Sequence, residues 1–263
     1  MCRLLGYLGP SVRLDTLLLK PEHSLIVQSY QPREMTAGLL NADGFGLGWY
    51  HPKQPIAPCI YRNTTPIWSD QNLTNLAHYV ESSCMLAYVR SATVGQSVQL
   101  SNCQPYRQGQ LLGIHNGFID QFRSTLYRKL RSHLSDRCYQ AIEGTTDSEH
   151  IFALVCHELE QTPGLSLQSA LTATLKRISD WAAAASTSVS LNIVLSDGQS
   201  LVASRYAYPN QPPSLYWVRD DLSLPSGVLV ASEPTFESKN WTTVPENSLL
   251  VVTSDQEVYT EAI

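Results

Sequence analysis

The pattern of apolar and polar positions divides the chain into strand-rich ends and a helical middle. Runs of strand-forming residues predict strands at 2–9, 44–51, 59–63, 84–91 and 110–119. Helices are predicted near 69–82, 121–134, 147–161 and 166–184. The last of these helices has its apolar residues at a spacing of three and four, and the short segment 182–190 connects it to the next strand.

The remainder of the chain predicts a series of strands. The segments SVSLNIVLSDG and QSLVASRYAY predict a hairpin that turns near Asp197-Gly198, and LYWVRD, GVLVASE, NSLLVVTSD and EVYTEA predict further strands. Strands that are segregated from helices favour stacked layers of an α+β fold over alternating βαβ units. We expect the C-terminal strands to complete a sheet begun by the N-terminal ones, which predicts a single domain over residues 1–263.

Composition and charge narrow the range of functions. The net charge of −5 gives no footprint for binding nucleic acid or anionic membranes. No apolar run reaches the roughly 20 residues that span a bilayer, and no signal peptide is evident. Because the chain is long and shows no export signal, its six cysteines are predicted to be reduced thiols in a cytoplasm. They include no C-x-x-C pair and no zinc-ligand spacing, so neither a metal site nor a cofactor is expected.

The position of Cys2 is unusual, because strand-forming residues begin directly after it. If Met1 were removed, Cys2 would carry a free α-amine and a thiol on one residue. Such a residue could act as a nucleophile with its own base. The alternative is a small buried cysteine in an edge strand.

The segment GIHNGFI also has two interpretations. Asn116-Gly117 favours a type I′ hairpin turn. The following residues, DQFRSTLYRKL, predict a helix in place of a returning strand. The Asn116 side-chain amide and the Gly117 backbone N–H could instead form a two-donor oxyanion hole.

Two charged residues lie at the ends of predicted elements. Arg90 follows an apolar strand, where it could extend to solvent or bind a carboxylate through two hydrogen bonds. Asp147 lies at a helix start, beside a capping box formed by Thr146 and Glu149. Its charge is favourable at that position, and it could also receive a substrate ammonium group.

Two further observations argue against common enzyme classes. The glycines of NADGFGLGW are spaced G-x-G-x-G and lead into a strand, so a dinucleotide loop is rejected. Those glycines are expected to let the backbone pack closely against a neighbouring segment or a ligand. The absence of G-x-S-x-G argues against an ordinary serine hydrolase.

These residues could act together on an amide. The thiol of Cys2 would attack, and an α-amine with a reference pKa of about 7.7–8.0 could take its proton. Arg90 and Asp147 have the charges that would bind the α-carboxylate and the α-ammonium of a γ-glutamyl group.

The ordered segments Met1-Cys2-Arg3, NADGFGLGW, VRSATVG, NCQPY, IHNGFI and TTDSE resemble those of class II glutamine amidotransferases, which are N-terminal-nucleophile hydrolases. ASEPT at 231–235 resembles a later strand end of that family. The resemblance implies a four-layer αββα sandwich, with Cys2 as nucleophile, Asn116 and Gly117 as oxyanion hole, and Arg90 and Asp147 as γ-glutamyl ligands. Many relatives have a histidine where this chain has Gln104, so no role of that histidine is transferred.

Within the class, the chain most resembles the stand-alone γ-glutamyl hydrolases of ergothioneine biosynthesis, which remove glutamate from a γ-glutamylcysteinyl sulfoxide of hercynine. No synthase domain is evident in this sequence, so the alternative is a glutaminase subunit that delivers ammonia to a separate synthase partner. A silent binding protein that senses γ-glutamyl metabolites is a third reading, and a homo-oligomer is possible. Certain aromatic residues could line a cleft for the leaving group or pack in the core, namely Trp49, Tyr50, Tyr106 and Trp241.

Overall fold

A computed structural model describes residues 2–35, 38, 40–93 and 95–263. The strands are β1 (Arg3–Arg13), β2 (Phe45–Trp49), β3 (Cys59–Asn63), β4 (Glu81–Val89), β5 (Tyr106–Gln108), β6 (Leu111–Ile119), β7 (Val189–Ser196), β8 (Leu201–Arg205), β9 (Ala207–Tyr208), β10 (Tyr216–Asp221), β11 (Leu224–Ala231), β12 (Thr242–Thr243), β13 (Ser248–Val252) and β14 (Val258–Ala262). The helices are α1 (Leu14–Leu18), α2 (Leu25–Tyr30), α3 (Leu73–Tyr79), α4 (Tyr127–His133), α5 (Asp136–Gln140), α6 (Asp147–Gln161) and α7 (Leu167–Ala184).

The strands form two antiparallel sheets. The first sheet has the order β12-β10-β11-β1-β4-β2-β3, and the second has the order β14-β13-β8-β7-β6-β5, with β9 paired to β7. Strand β1 therefore lies in the interior of its sheet, between β11 and β4. The C-terminal strands β10 and β11 complete the sheet that β1 begins, as the sequence predicts, whereas β13 and β14 join the second sheet.

The alternation of side chains along β1 explains how the layers stack. Leu4 and Leu8 point into an apolar layer between the two sheets, whereas Leu5 and Tyr7 pack on the opposite face, in the cluster that helices α1–α3 cover. Helices α6 and α7 cover the outer face of the second sheet. The layers therefore follow the order helix, sheet, sheet, helix, which confirms the α+β, four-layer αββα expectation.

Most predicted elements are present with shifted ends. The hairpin near Asp197-Gly198 forms between β7 and β8, and helices α6 and α7 match their predicted ranges within a residue. The predicted helix near 69–82 is shorter, because β4 already begins at Glu81. The predicted helix at 121–134 begins only at Tyr127, after a turn in which Gln121 has a φ of 47°.

The glycines of NADGFGLGW pack against neighbouring backbone, as expected. A Cβ atom on Gly46 would overlap the Gln104 carbonyl oxygen, and one on Gly44, whose φ is 112°, would lie 2.6 Å from the Cys103 sulfur. The chain around Gln104 can therefore approach β2 closely. This contact places the segment NCQPY against one face of the first sheet.

Candidate active site

Cys2 lies directly before β1, with its side chain in the apolar layer between the sheets. Its sulfur accepts a hydrogen bond of 3.3 Å from the Ser91 N–H and lies 3.4 Å from the Ser91 carbonyl oxygen. The residue is 8% exposed. The edge-strand interpretation of this cysteine is wrong, because β1 is paired on both sides.

Tyr88 lies next to Cys2 in the same layer. Burial raises the pKa of its phenol well above the ordinary value, and the neighbouring Cys2 thiol acts in the same direction. The phenol therefore stays protonated at neutral pH and cannot take the proton of Cys2.

Arg90 follows β4 and is 2% exposed, so the interpretation that it extends to solvent is wrong. Its guanidinium donates to the Gln96 side-chain oxygen at 3.1 Å and to the Ser97 carbonyl at 3.2 Å. A weaker contact of 3.5 Å reaches the Asp43 carbonyl. All three of these acceptors are uncharged oxygens. A buried charge is normally paired with an opposite charge, and none of these contacts supplies one. Arg90 is therefore equipped to receive a carboxylate from outside the chain.

Asn116 and Gly117 lie inside β6, so the hairpin-turn interpretation is wrong. Asn116 is fully buried and faces the layer between the sheets, since Leu112 and Ile114 on the same face of β6 pack there. Its side-chain nitrogen donates to the Ser232 hydroxyl at 3.5 Å. Its side-chain oxygen has no partner among the described residues.

The Gly117 N–H lies on the side of β6 that faces away from β7. On that side, the His115 N–H donates to the Gln104 side chain at 2.5 Å, and the Ile119 N–H donates to Asp147 at 2.7 Å. Because alternate residues of a strand direct their N–H groups to the same side, the Gly117 N–H points between these two bonds. The acceptors on either side of it, Gln104 and Asp147, already bind the N–H groups of His115 and Ile119.

Asp147 begins helix α6 and is 6% exposed. One carboxylate oxygen accepts the Ile119 N–H, and the other accepts the Ser148 N–H at 2.9 Å. The predicted capping box is only half formed. Thr146 accepts the Glu149 N–H at 3.2 Å, but the Glu149 carboxylate binds the N–H groups of Glu143 and Gly144. Asp147 therefore fastens the start of α6 to the end of β6.

The predicted site residues are thus connected by a chain of contacts. Cys2 contacts Ser91, which is the neighbour of Arg90. Two residues after Cys2, the Leu4 N–H donates to the Ser232 hydroxyl that also receives Asn116. Gly117 follows Asn116, and Asp147 binds the strand two residues later. The arrangement combines a thiol, two amide donors and opposite charges.

Residues 1–219 match the family described as class-II glutamine amidotransferases. The chain belongs to the class II glutamine amidotransferase family. It is 32% identical to a probable glutamine amidotransferase, DUG3, of Saccharomyces cerevisiae over 96% of this chain and 82% of the relative. It is 34% identical to a gamma-glutamyl-hercynylcysteine sulfoxide hydrolase of Mycobacterium tuberculosis over 96% of this chain and 93% of the relative. A solved class-II domain protein from Silicibacter pomeroyi superimposes with a TM-score of 0.72, at 26% identity and 99% coverage of both chains.

Gln104 has a structural role in this class II amidotransferase that the sequence does not reveal. Its side-chain amide accepts from the His115 N–H and donates to the His115 carbonyl at 3.0 Å. The side chain thus takes the place of a neighbouring strand beside β6, directly before the Gly117 N–H.

His115 is a second residue that the sequence analysis missed. Its ring nitrogens contact the Ser148 hydroxyl and the Ser190 carbonyl, both at 2.9 Å. Burial lowers the pKa of His115, although the charge of Asp147 acts in the opposite direction. Both ring nitrogens are engaged on the helix side of β6, so His115 is not the base for Cys2.

A buried ionic cluster lies beside Cys2, and the sequence patterns do not predict it. Arg3 pairs with Glu233 at 2.7 Å, and His23 contacts the same carboxylate at 2.8 Å. Burial alone would raise the pKa of Glu233, but hydrogen bonds from His23 and from the Arg33 and Glu34 N–H groups, with the charge of Arg3, hold it below the ordinary value. Glu233 lies in the segment ASEPT, and that segment does not reveal the cluster because its contact with β1 is not visible in the sequence.

The aromatic residues considered for a cleft have different positions. Tyr50 and Tyr106 are buried in the core, with hydroxyl groups bonded to the Ser196 carbonyl and the Thr146 hydroxyl, respectively. Trp49 packs against the cluster under helices α1–α3. Trp241 lines a surface cavity of about 470 Å³ with Arg33 and other residues. Core packing therefore accounts for Tyr50, Tyr106 and Trp49.

The described residues include no cluster of three or more His, Cys, Asp or Glu side chains suited to hold a metal ion. None of the described helices combines the length and the apolar composition needed to cross a bilayer.

Proposed function

We propose that this chain hydrolyses a γ-glutamyl amide through a thioester on Cys2, releasing glutamate and an amine. The observation that carries the proposal is the buried Arg90 guanidinium. Among the residues that the structure describes, it contacts only uncharged acceptors, next to the segment that holds the Cys2 thiol. A γ-glutamyl group supplies the missing carboxylate. Membership of the class II amidotransferase family supports a reaction at an amide carbon.

The first step requires removal of Met1, because the α-amine of Cys2 then becomes free. This amine takes the thiol proton, and the sulfur attacks the γ-carbonyl carbon. As the C–S bond forms, the carbonyl electron pair moves onto oxygen. The Asn116 side-chain amide and the Gly117 N–H donate hydrogen bonds to this oxyanion.

The second step breaks the C–N bond. The protonated α-amine gives its proton to the leaving nitrogen, and a γ-glutamyl thioester remains on Cys2. The same amine then accepts a proton from water, which attacks the thioester carbon. Collapse of this intermediate releases glutamate and returns the proton to the thiol, so the cycle needs no cofactor.

Recognition of the glutamyl group uses the charged pair. Arg90 binds the α-carboxylate, and Asp147 binds the α-ammonium. Each carboxylate oxygen of Asp147 accepts one backbone N–H and can accept a second donor.

The proposed leaving amine is the cysteine nitrogen of a γ-glutamylcysteinyl sulfoxide of hercynine. The relative from Mycobacterium tuberculosis, a gamma-glutamyl-hercynylcysteine sulfoxide hydrolase at 34% identity, supports this choice. A single domain over 1–263, a cytoplasmic location, and a homo-oligomer or synthase partner all stay predictions.

The test is glutamate release from glutamine, γ-glutamylcysteine and the sulfoxide conjugate. Wild type and Cys2→Ala are compared, with Cys138→Ala as a control, since Cys138 is a buried cysteine in the outer helix layer. Cys2-dependent hydrolysis of the conjugate, far faster than of glutamine, supports the proposal. Equal activity of Cys2→Ala overturns it, and fast hydrolysis of glutamine alone favours a glutaminase with a synthase partner. Intact mass measures removal of Met1.

A further inference from the structure

Glu233 is a buried carboxylate that fastens separate segments of the chain. One oxygen accepts the Arg3 side chain at 2.7 Å and the Glu34 N–H at 3.0 Å. The other accepts His23 at 2.8 Å and the Arg33 N–H at 2.8 Å. Each oxygen therefore has two donors, which is the full capacity of an ionised carboxylate.

Arg3 connects this carboxylate to Cys2. While one guanidinium nitrogen donates to Glu233, another donates to the Cys2 carbonyl at 2.8 Å. The third nitrogen has no partner among the described residues, and Arg3 is only 1% exposed. A buried guanidinium with an unpaired nitrogen is unfavourable, and an apolar side chain at this position would avoid that cost. Packing alone therefore does not explain Arg3.

The position of Cys2 gives this bond a special consequence. After loss of Met1, Cys2 is joined to the chain on one side only, and chain ends fray unless they are held. The orientation of the Cys2 carbonyl fixes the ψ angle of that residue. This angle sets where the α-amine and the thiol point relative to β1.

We propose that Glu233 is a positioning residue for Cys2, which it orients through the Arg3 guanidinium without touching the substrate. The proposal rests on the proposed role of Cys2 as nucleophile. The same carboxylate accepts the N–H groups of Arg33 and Glu34. It therefore also connects segment 33–34 to Arg3, the residue that binds the Cys2 carbonyl.

Glu233→Gln tests this role, because the change is isosteric and places an NH₂ group against two existing donors. The matched control is Glu158→Gln, which breaks an ion pair of 2.8 Å with Arg177 between helices α6 and α7. For Glu233→Gln we expect kcat to fall at least tenfold, with KM within about threefold of wild type. Glu158→Gln should leave both constants unchanged.

A second measurement separates positioning from general stability. The double variant Arg3→Met/Glu233→Gln is compared with its two single variants. It should lose no more kcat than the single variant with the larger loss, because both changes break the same connection. Hydrogen exchange of the peptide that contains Arg3 to Leu5 should accelerate at least tenfold in Glu233→Gln, with helix α7 unaffected. If Glu233→Gln does not fold, Arg3→Lys carries the same test.

The outcomes are distinct. A loss of kcat smaller than tenfold in Glu233→Gln, or unchanged exchange near Arg3, overturns the positioning role. If the wild-type protein shows no Cys2-dependent turnover, the proposed function fails, and the exchange measurement still decides whether Glu233 orders the start of β1.

Discussion

The side-chain amide of Asn116 donates a hydrogen bond of 3.5 Å to the hydroxyl of Ser232, which follows strand β11. The same hydroxyl accepts the Leu4 N–H at 3.1 Å. One serine thus links the proposed oxyanion donor to the strand that carries Cys2. The position of the proposed nucleophile relative to the proposed oxyanion donor is therefore set by a residue from the far end of the chain.

Asn116→Ala should lower kcat roughly 10²–10³-fold, the usual effect of losing one oxyanion donor, with little change in KM. The reason is that the amide acts on charge that develops only in the transition state. Steady-state kinetics with a γ-glutamyl substrate measure the effect.

Asn192→Ala serves as the control for this variant. Asn192 is equally buried on neighbouring strand β7, and its side chain donates to the carbonyls of Pro213 and Ser214 at 3.1 Å. It should lose stability while kcat stays within about threefold. Equal losses of kcat in the two variants would contradict a direct role of Asn116.

Ser232→Ala should cost about 1–3 kcal/mol of unfolding free energy, because it leaves the buried Leu4 N–H and the Asn116 amide without an acceptor. Its kcat should also fall, by less than in Asn116→Ala, since the amide is retained but loses its support. Urea denaturation and kinetics measure the two effects.

Ser204→Ala is the matched control, because the Ser204 hydroxyl accepts the Ile193 N–H at 3.1 Å in the same buried setting. It should lose similar stability and keep its kcat. A normal kcat in Ser232→Ala would show that the bond to Asn116 does not orient the amide.

The sequence predicts the local elements of this fold well, because their signals are local. Helix α7 has a clear apolar period, and the Asp197-Gly198 turn defines the β7–β8 hairpin. Helices α1 and α2 have only short apolar runs, and nothing in those runs distinguishes a helix from a continued strand. Their helical form follows from packing on the first sheet, which is a tertiary effect.

The same contrast between local signals and tertiary contacts applies to the candidate site. Cys2, Arg90 and Asp147 could be proposed because each has unusual chemistry at an element end. The contact of Glu233 with Arg3 joins residues 230 positions apart, and only the pairing of β1 with β11 brings them together. The Gln104 side chain that completes the edge of β6 is equally invisible to local patterns.

Arg90→Lys should lower kcat/KM for a γ-glutamyl substrate about 10–100-fold, chiefly through KM. The lysine keeps the charge but loses the two-pronged geometry, and hydrogen bonds to charged groups contribute about 1.5–3 kcal/mol. Product glutamate should raise the melting temperature of the wild type more than that of the variant.

Arg62→Lys controls for a generic arginine effect, because Arg62 is engaged elsewhere, donating to the Cys103 carbonyl at 3.1 Å, and has no proposed part in binding the substrate. It should leave kcat/KM unchanged. An unaltered KM in Arg90→Lys would remove Arg90 from substrate binding.

The stability of the protein should fall as the pH drops from about 6.5 to about 4, because His150 is buried in its neutral form. Burial lowers the pKa of His150 to about 4, and the charges of Arg131 and Arg123 act in the same direction, although a hydrogen bond to the Thr146 carbonyl opposes them. Since the unfolded chain binds this proton near pH 6.5 and the folded chain does not, acid favours unfolding in that window. The difference corresponds to about 3 kcal/mol.

Urea denaturation at pH 7 and pH 5 tests this linkage in wild type and in His150→Gln. The variant should lose less stability between the two pH values than wild type does, while the lowered pKa of His115 keeps a residual dependence in both. His51→Gln is the control, because His51 is exposed. A pH dependence in His150→Gln as steep as in wild type would assign the acid sensitivity to other groups, with His115 the first to examine by the same substitution.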